Sequence, residues 1–326
     1  MTAASAGVTR RAGGRVWSTV LLLTVAGLGG WALVRAVGYD HRTPFAQLVS
    51  FTPYVAGFSL VPLALALVTR RWKVALAAGA VVLIFGAFVV PRTVPSGAPS
   101  DGDRLRVMAF NTKIGAGSIP ELAALVRREK PDVLTVQELT PGWAAEFAAL
   151  GLFPYSALRA LPGASGTGIW ARYPLTDSRT VDPKSGFDQT VALLRVSDDR
   201  TFEVVSAHPR PPIPQATDFG SPDRWVTDLS RLPAAATSGP VRVMAGDFNA
   251  SLDHSPFRKL VDTGYVDAAA EVGKGLVPTW PMNGKHVPPV TLDHVLVDSR
   301  ADARSFDAYT IAGTDHRAIV ADLVVA

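Results

Sequence analysis

Hydrophobic and polar positions divide the chain near residue 103. Before it, three stretches carry no charged side chain: Val16–Val34, Thr43–Thr69 and Val74–Val90, of 19, 27 and 17 residues. A helix rises about 1.5 Å per residue and a bilayer's hydrocarbon core is about 30 Å thick, so the first two can span and the third is at the margin. The pattern predicts an anchor over residues 1–90 with transmembrane helices near 16–34, 45–69 and 74–90. A signal peptide cleaved behind Arg10-Arg11 would still leave two spans. No Asp, Glu, Lys, Arg or His lies inside the three, which argues against an ion or proton path. Residues 91–103, rich in Pro, Gly and Ser, cannot build a core and read as a stalk.

From residue 104 the period changes. Arg104–Phe110 alternates Leu105, Val107 and Ala109 on one face, which continues to Asn111. Ser118 with Glu121 forms a capping box for a helix striped by Leu122, Leu125 and Val126, which must end near Lys130, before Pro131. Asp132–Glu138 is an apolar run suited to a buried strand. Phe202, Val204 and Ser206 lead to His208, and Val241, Val243 and Ala245 lead to Asp247. Val290–Val297 is a further strand with Asp293 on one face, and residues 311–317 form a loop before the run Ala318–Val325. Asn111, Glu138, His208 and Asp247 therefore stand at strand ends, where a rigid sheet can hold polar groups over a cleft.

Composition sharpens the division. The 326 residues are 48% hydrophobic and 18% charged, with a mean hydropathy of +0.21, which excludes a disordered polyampholyte and allows about two domains. The absence of cysteine excludes disulfide frameworks, thiol nucleophiles, zinc ribbons and iron–sulfur sites. A net charge of +4 invites a nucleic-acid partner until the charge is located. Nine Lys/Arg and three acids fall in residues 1–103, a net of +6; 23 of the 32 bases and 25 of the 28 acids fall after it, a net of −2. Arg10, Arg11 and Arg15 flank the first span, and Arg70, Arg71 and Lys73 crowd the turn between the second and third. The positive-inside rule puts both in the cytoplasm and everything after Pro91 outside. The loop with Arg35, Asp40, His41 and Arg42 is then also outside, and its two arginines run against the rule. Were the third segment not to cross, the large domain would face the cytoplasm.

Taken singly, Asn111, Glu138, His208 and His316 have ordinary readings as turn, surface, capping or packed residues, and Gly-Asp-x-Asn is common turn chemistry. The ordered set does not. Arg106-Val-Met-Ala-Phe-Asn111, Val136-Gln-Glu138, Ser206-Ala-His208, Gly246-Asp-Phe-Asn-Ala250, Leu292-Asp-His-Val-Leu-Val297 and Thr314-Asp-His316 resemble the endonuclease/exonuclease/phosphatase family over residues 104–326. The resemblance implies a two-sheet α/β sandwich, here preceded by an all-α transmembrane region, with metal-dependent phosphoester hydrolysis at one edge. It implies Glu138 as the principal metal carboxylate, Asn111 beside it and Asp315 contributing near the metal. Asp247 would orient or deprotonate the attacking water, and Asn249 would hold that water or the phosphate. His316 would contact the phosphoryl group with Asp293 fixing its tautomer, and His208 would be a second phosphate contact or the acid for the leaving oxygen. Oxygen ligation favours Mg²⁺, with Mn²⁺ as the alternative.

The remaining candidates carry less. His294 should point to the strand face opposite Asp293 and pack or hydrogen-bond, His254 should cap the next helix, and His286 has no suggested partner. Trp280, in Thr-Trp-Pro, is a substrate platform or a core anchor. Tyr173 belongs to an Arg-Tyr-Pro turn and does not align with the tyrosine of nuclease members. Gly163-Ala-Ser-Gly-Thr167 lacks the last glycine of a nucleophile elbow, and no Gly-Lys-Ser/Thr phosphate loop is present.

The phosphoester itself stays open. Six lysines and a net of −2 make a weak footprint for DNA, so nucleic acid is not favoured. A place outside the membrane favours membrane lipids as surroundings and lipid phosphates, polyprenyl (pyro)phosphates or other envelope phosphoesters as substrates; no protein partner is indicated. Three spans, a stalk and this domain also resemble the VanJ-type glycopeptide-resistance membrane proteins of actinobacteria. That resemblance implies a role in envelope lipid-carrier or cell-wall metabolism and in resistance to teicoplanin-like antibiotics. Two alternatives stand beside it: an anchored extracellular nuclease or nucleotide phosphatase, and a catalytically silent scaffold.

Overall fold

The computed structural model describes residues 3–96, 102–213, 220–282, 284 and 287–325. Its first part contains α1 (Ala3–Val37), α2 (Phe45–Leu48), α3 (Thr52–Val68) and α4 (Trp72–Val89), with short 3-10 turns at Val49–Phe51 and Val90–Thr93. Three segments, Val16–Val37, Phe45–Val68 and Trp72–Thr93, of 22, 24 and 22 residues, are long and apolar enough to cross a membrane. Leu21, Val25, Leu28 and Ala32 of α1 bury against Ala66, Ala78, Val81 and Phe85. Leu22, Leu23, Leu33, Phe58, Leu76 and Leu83 remain exposed on the outside. A bundle that is apolar on both faces suits hydrocarbon rather than water as its surroundings.

The remainder is a four-layered sandwich. In chain order it comprises β1 (Asp103–Asn111), α5 (Ile119–Glu129), β2 (Val133–Gln137), α6 (Pro141–Ala149), β3 (Tyr155–Arg159), β4 (Thr167–Ala171), β5 (Leu175–Thr180) and β6 (Thr190–Arg195). There follow β7 (Thr201–Ala207), α7 (Pro222–Arg231), β8 (Val241–Asp247), α8 (Ser255–Val261), β9 (Tyr265–Asp267), α9 (Ala268–Glu271), β10 (Asp293–Asp298), β11 (Ala301–Thr310) and β12 (Arg317–Val325). Two six-stranded sheets, β11-β12-β1-β2-β4-β3 and β5-β6-β7-β8-β10-β9, pack face to face. Only β1–β2 and β7–β8 pair in parallel among the described strands.

Strand alternation explains the layering. Leu105, Val107 and Ala109 of β1 face the second sheet, where Val204, Val243, Ala245, Val295 and Val297 meet them. Met108 and Phe110 turn the other way, onto Leu122 of α5 and Trp143 and Phe147 of α6. On the far side, Val205, Met244 and Leu296 carry Trp225 of α7 and Phe257 of α8. Ser118 caps α5 through Glu121 N at 3.4 Å, and Lys130 closes it in the left-handed region. The other half of the expected capping box is absent, since the Glu121 carboxylate accepts from Ala312 N at 2.8 Å and ties the helix to the loop before β12. The strand expected from Val290 begins at Asp293, because Val290 pairs with Trp280 and Thr279 Oγ1 takes the N–H groups of Leu292 and Asp293.

The expected stalk is, over its described part, a docking segment. Arg92 Nη2 donates to Asp253 Oδ1 at 2.7 Å, Gly275 N donates to Arg92 O, and Ser96 N donates to Glu271 O. Residues 97–101 lie outside the described residues. Arg35 Nε reaches the same Asp253 oxygen at 3.1 Å, and Tyr54 OH donates to Pro289 O at 2.6 Å. The buried Asp40 carboxylate accepts from the backbone and hydroxyl of Ser255, at the start of α8. His254 holds the N-cap position of α8, but its ring caps nothing there. Instead it accepts from Ser251 N at 2.8 Å and meets Ala46 O at 2.9 Å. The end of α1, the starts of α2 and α3 and the end of α4 thus all meet the domain, leaving the Arg70-Arg71 turn at the opposite end of the bundle.

Candidate active site

The inward rows of both sheets end in polar residues that converge. Asn111 continues the row of Leu105, Val107 and Ala109, and Asp247 continues that of Val243 and Ala245. Asp293 opens β10 directly opposite Asp247. Two hydrogen bonds stitch the sheets beneath them, Thr135 Oγ1 to Ala245 O at 3.0 Å and Gln137 Nε2 to Ser206 Oγ at 3.0 Å. This approach is why Gly246 precedes Asp247: a Cβ there would lie 2.2 Å from Ala207 O and 2.7 Å from Gln137 Nε2.

The Asn111 Nδ2 group donates to Glu138 Oε1 at 3.1 Å and Asp247 Oδ2 at 3.0 Å, while Lys113 N occupies its Oδ1 at 2.8 Å. Its amide nitrogen thus stands between two carboxylates, as donor to both. Asp293 binds His316 Nδ1 through Oδ2 at 2.9 Å, and His316 Nε2 lies 3.6 Å from Asp247 Oδ2. His208 Nε2 lies 3.9 Å from both Glu138 Oε1 and Asp247 Oδ2. Asn249 N donates to Asp247 Oδ1 at 2.8 Å, and its side chain donates to Pro209 O at 3.0 Å. Asp315 stands at the rim, with Lys113 Nζ at 3.8 Å. Asn111, Glu138, His208, Asp247, Asn249, Asp293 and His316 are thus linked by direct contacts, with Asp315 beside them.

Electrostatics separates the two histidines. Burial pulls His316 down, but Asp293 and Asp247 outweigh it and raise its pKa to about 10, so it is a cation. Burial lowers His208, with Asp247 opposing, so it is neutral at pH 7. Burial pushes Glu138 upward against its Asn111 hydrogen bond, and pushes Asp247 upward against both histidines. Desolvated carboxylates around one imidazolium fit a cation, which would relieve the burial penalty of their charge. Among the described residues, ligand atoms of Asp247, Asp293 and His316 lie within 4.8 Å of one another. That triple differs from the expected metal set of Asn111, Glu138 and Asp315.

Several supporting roles were not assigned from the sequence. Thr112 Oγ1 donates to Glu138 O at 2.6 Å, and Thr314 Oγ1 donates to Asn111 O at 2.9 Å. Thr279 holds Asp293 from a segment also tied to β12 through Arg317 N. Glu138 and Asn249 adopt φ of +54° and +49°, a region non-glycine residues seldom enter, and Lys113 and Ile114 do the same nearby. No local signal foretells these dihedrals. The ring of Trp280 lies 6.4 Å from that of His316, at the rim. His294 packs as expected, bound by Asp267 Oδ2 at 2.7 Å and Ala250 O at 2.9 Å. Tyr173 packs on the inter-sheet core, and His286 lies outside the described residues.

Solved structures of similar fold include an endonuclease/exonuclease/phosphatase from Beutenbergia cavernae DSM 12333, at 16% identity over 68% of this chain and 72% of that one, with a TM-score of 0.51. D. rerio TDP2, humanized by 14 mutations, matches at 15% identity over 68% and 98%, with a TM-score of 0.56. The 3′ phosphatase NExo from Neisseria, bound to a product DNA hairpin, matches at 16% over 67% and 98%, with a TM-score of 0.52. No curated protein matches the sequence. The sequence profile of the Endonuclease/Exonuclease/phosphatase family matches residues 68–316, and the two-sheet sandwich agrees with it: the chain belongs to that family of phosphoester hydrolases.

Proposed function

We propose that the protein is a membrane-anchored, divalent-metal-dependent phosphoesterase acting on an extracytoplasmic lipid or polyprenyl (pyro)phosphate of the cell envelope. The observation that carries this reading is the seating of the domain on its helices. Asp253 is held by Arg35 and Arg92, at the ends of two apolar helices, so the cluster stays at the end of the bundle instead of swinging on a tether. Substrates embedded in a membrane would be presented to it there. Lys113 already has a carboxylate partner in Asp315, and the domain's net charge of −2 makes poor provision for a polyanion.

A divalent cation, when bound, neutralises phosphate oxygens and eases attack at phosphorus. Glu138 and Asp315, with Asn111 beside them, would hold it, and oxygen donors suit Mg²⁺ or Mn²⁺. Asp247 orients a water and takes its proton, and Asn249 steadies that water or the phosphate. Cationic His316, its Nδ1–H directed to Asp293, donates from Nε2 to a phosphoryl oxygen. Neutral His208 suits a second phosphate contact better than a proton donor to the leaving oxygen.

Full-length protein in nanodiscs, with Mg²⁺, should release phosphate or headgroup from a polyprenyl pyrophosphate or a lysophospholipid, and EDTA should stop it. Rapid cleavage of plasmid DNA with both lipids untouched would overturn the lipid reading in favour of an anchored nuclease, a reading that the DNA-bound Neisseria relative keeps open. The resemblance to VanJ-type proteins extends the proposal to glycopeptide resistance. Expression in a teicoplanin-susceptible host should raise the tolerated dose, and Glu138→Ala should abolish the gain. A gain that survives Glu138→Ala would favour the silent scaffold.

A further inference from the structure

We propose that the anchor and the catalytic domain together form a binding site for the substrate's hydrocarbon chain. The inference rests on the phosphoesterase reading above and names what the same site does with the rest of its substrate. A cavity of about 340 Å³ lies where the two parts meet. Ala46, Ser50 and Phe51 wall it from the anchor, at the domain end of the Phe45–Val68 segment, and Ile213, Val290 and Leu292 wall it from the domain. Among the described residues that line it, none is Lys, Arg, Asp or Glu. A nucleotide's sugar-phosphate backbone would find no counter-charge there, whereas an alkyl or prenyl chain would lose nothing by entering.

The cavity adjoins the reacting cluster. Asn249 and Trp280 line it, and these are the residues that bind Asp247 through a backbone N–H at 2.8 Å and stand 6.4 Å, ring to ring, from His316. A phosphate seated at the cluster therefore has apolar room beside it, and that room ends against the membrane helices. For a chain already in a bilayer the cavity offers little gain in hydrophobic energy, since lipid tails are apolar too. Its effect is positional: it gives the chain a dry path while the head rises to the carboxylates, and so selects substrates whose phosphate lies directly on an apolar chain. For a short chain arriving from water, burial should tighten binding about fourfold per methylene.

The test uses full-length protein in nanodiscs with Mg²⁺ and soluble n-alkylphosphonates of one to eight carbons, with dissociation constants read by calorimetry. Affinity should rise about fourfold per methylene until the cavity is filled. Ile213→Glu and Val287→Glu, on a half-buried wall and an exposed rim, should flatten the rise to less than twofold per methylene. Both should leave methylphosphonate binding within twofold of wild type, which shows the cluster intact. Affinity independent of chain length, an unchanged slope in both variants, or an equal loss for methyl- and octylphosphonate would overturn the proposal. If the slope is present but no lipid is hydrolysed, the chain site stands and the lipid phosphoesterase reading falls.

Discussion

Asp253→Asn separates a locked domain from a tethered one. Oδ1 of this fully buried carboxylate accepts from Arg35 Nε at 3.1 Å and Arg92 Nη2 at 2.7 Å, guanidiniums whose side chains are only 12% and 7% exposed. Asparagine keeps the shape and one acceptor but removes the charge, leaving two desolvated cations without their anion. Breaking one partner out of a buried ion pair costs roughly 3–5 kcal/mol, a shift on the order of 10²–10⁴-fold toward the undocked form. The Asp40–Ser255 and Tyr54–Pro289 contacts remain, so the domain should loosen without unfolding. Because the native chain has no cysteine, single labels can be placed at Thr69 and Asp198, both exposed and on opposite parts. Wild type should give one narrow distance distribution and Asp253→Asn a broad one. Hydrolysis of a lipid phosphate should fall tenfold or more, while a soluble diester such as bis(4-nitrophenyl) phosphate should stay within threefold. An unchanged distribution, or equal loss of both activities, would refute the idea that this ion pair positions the site.

Four further outcomes follow from the same contacts. Asp247→Asn should cut Mg²⁺-dependent hydrolysis roughly 10²–10⁴-fold. It should not lower the melting temperature of metal-free protein, since burial already disfavours that charge, and a lowered melting temperature with activity retained would contradict the assignment. Gly246→Ala should cost about 3 kcal/mol in denaturant unfolding, because its Cβ would meet the fixed carbonyl of Ala207 at 2.2 Å as well as the Gln137 side-chain amide. Burial lowers the pKa of His254, so the docked form should be most stable above about pH 6.5 and lose about 1.4 kcal/mol per pH unit as pH falls below that value. Its Nδ1 accepts from Ser251 N at 2.8 Å, a bond that an added proton would break, and the label distribution should broaden in acid for wild type and not for His254→Gln. An alkaline-phosphatase fusion at the C-terminus should be active in cells if the domain lies outside, and an inactive fusion would reverse that orientation.

Much of the site was legible because period-two alternation is a rigid rule. Once Leu105, Val107 and Ala109 face inward, Asn111 must as well, and the same parity aims Asp247 and Asp293 at the gap between the sheets. Where alternation stops, legibility stops. Glu138 follows Gln137 and by parity should face away, yet its φ of +54° turns the chain so that its carboxylate meets Asn111. Its place at the end of a strand and the resemblance pointed to it; the strand's own alternation did not. The late start of β10 and the half-formed capping box have a shared cause, a partner remote in sequence. Thr279 takes two N–H groups from residues thirteen and fourteen positions on, and Ala312 takes Glu121 across 191 residues. Local propensity carries no information about such competition.

The segment behind the anchor is instructive in another way. Composition makes residues 91–103 a stalk, since nothing in Pro, Gly and Ser builds a core, and that reasoning holds for a segment standing alone. Arg92 changes the outcome, because a domain residue, Asp253, offers a buried carboxylate that is matched only when both Arg35 and Arg92 arrive. Counted as bare charges, those arginines blur the orientation by adding positive residues at the end of the helices where the domain sits. Counted with Asp253, the two contribute a net of +1, and with Arg42 they stand against Arg10, Arg11, Arg15, Arg70, Arg71 and Lys73 toward the other end. The same two side chains thus sharpen the charge asymmetry across the bundle and fix the distance from the helices to the carboxylates. For the membrane-embedded substrates proposed above, that rigidity would serve the site better than a tether.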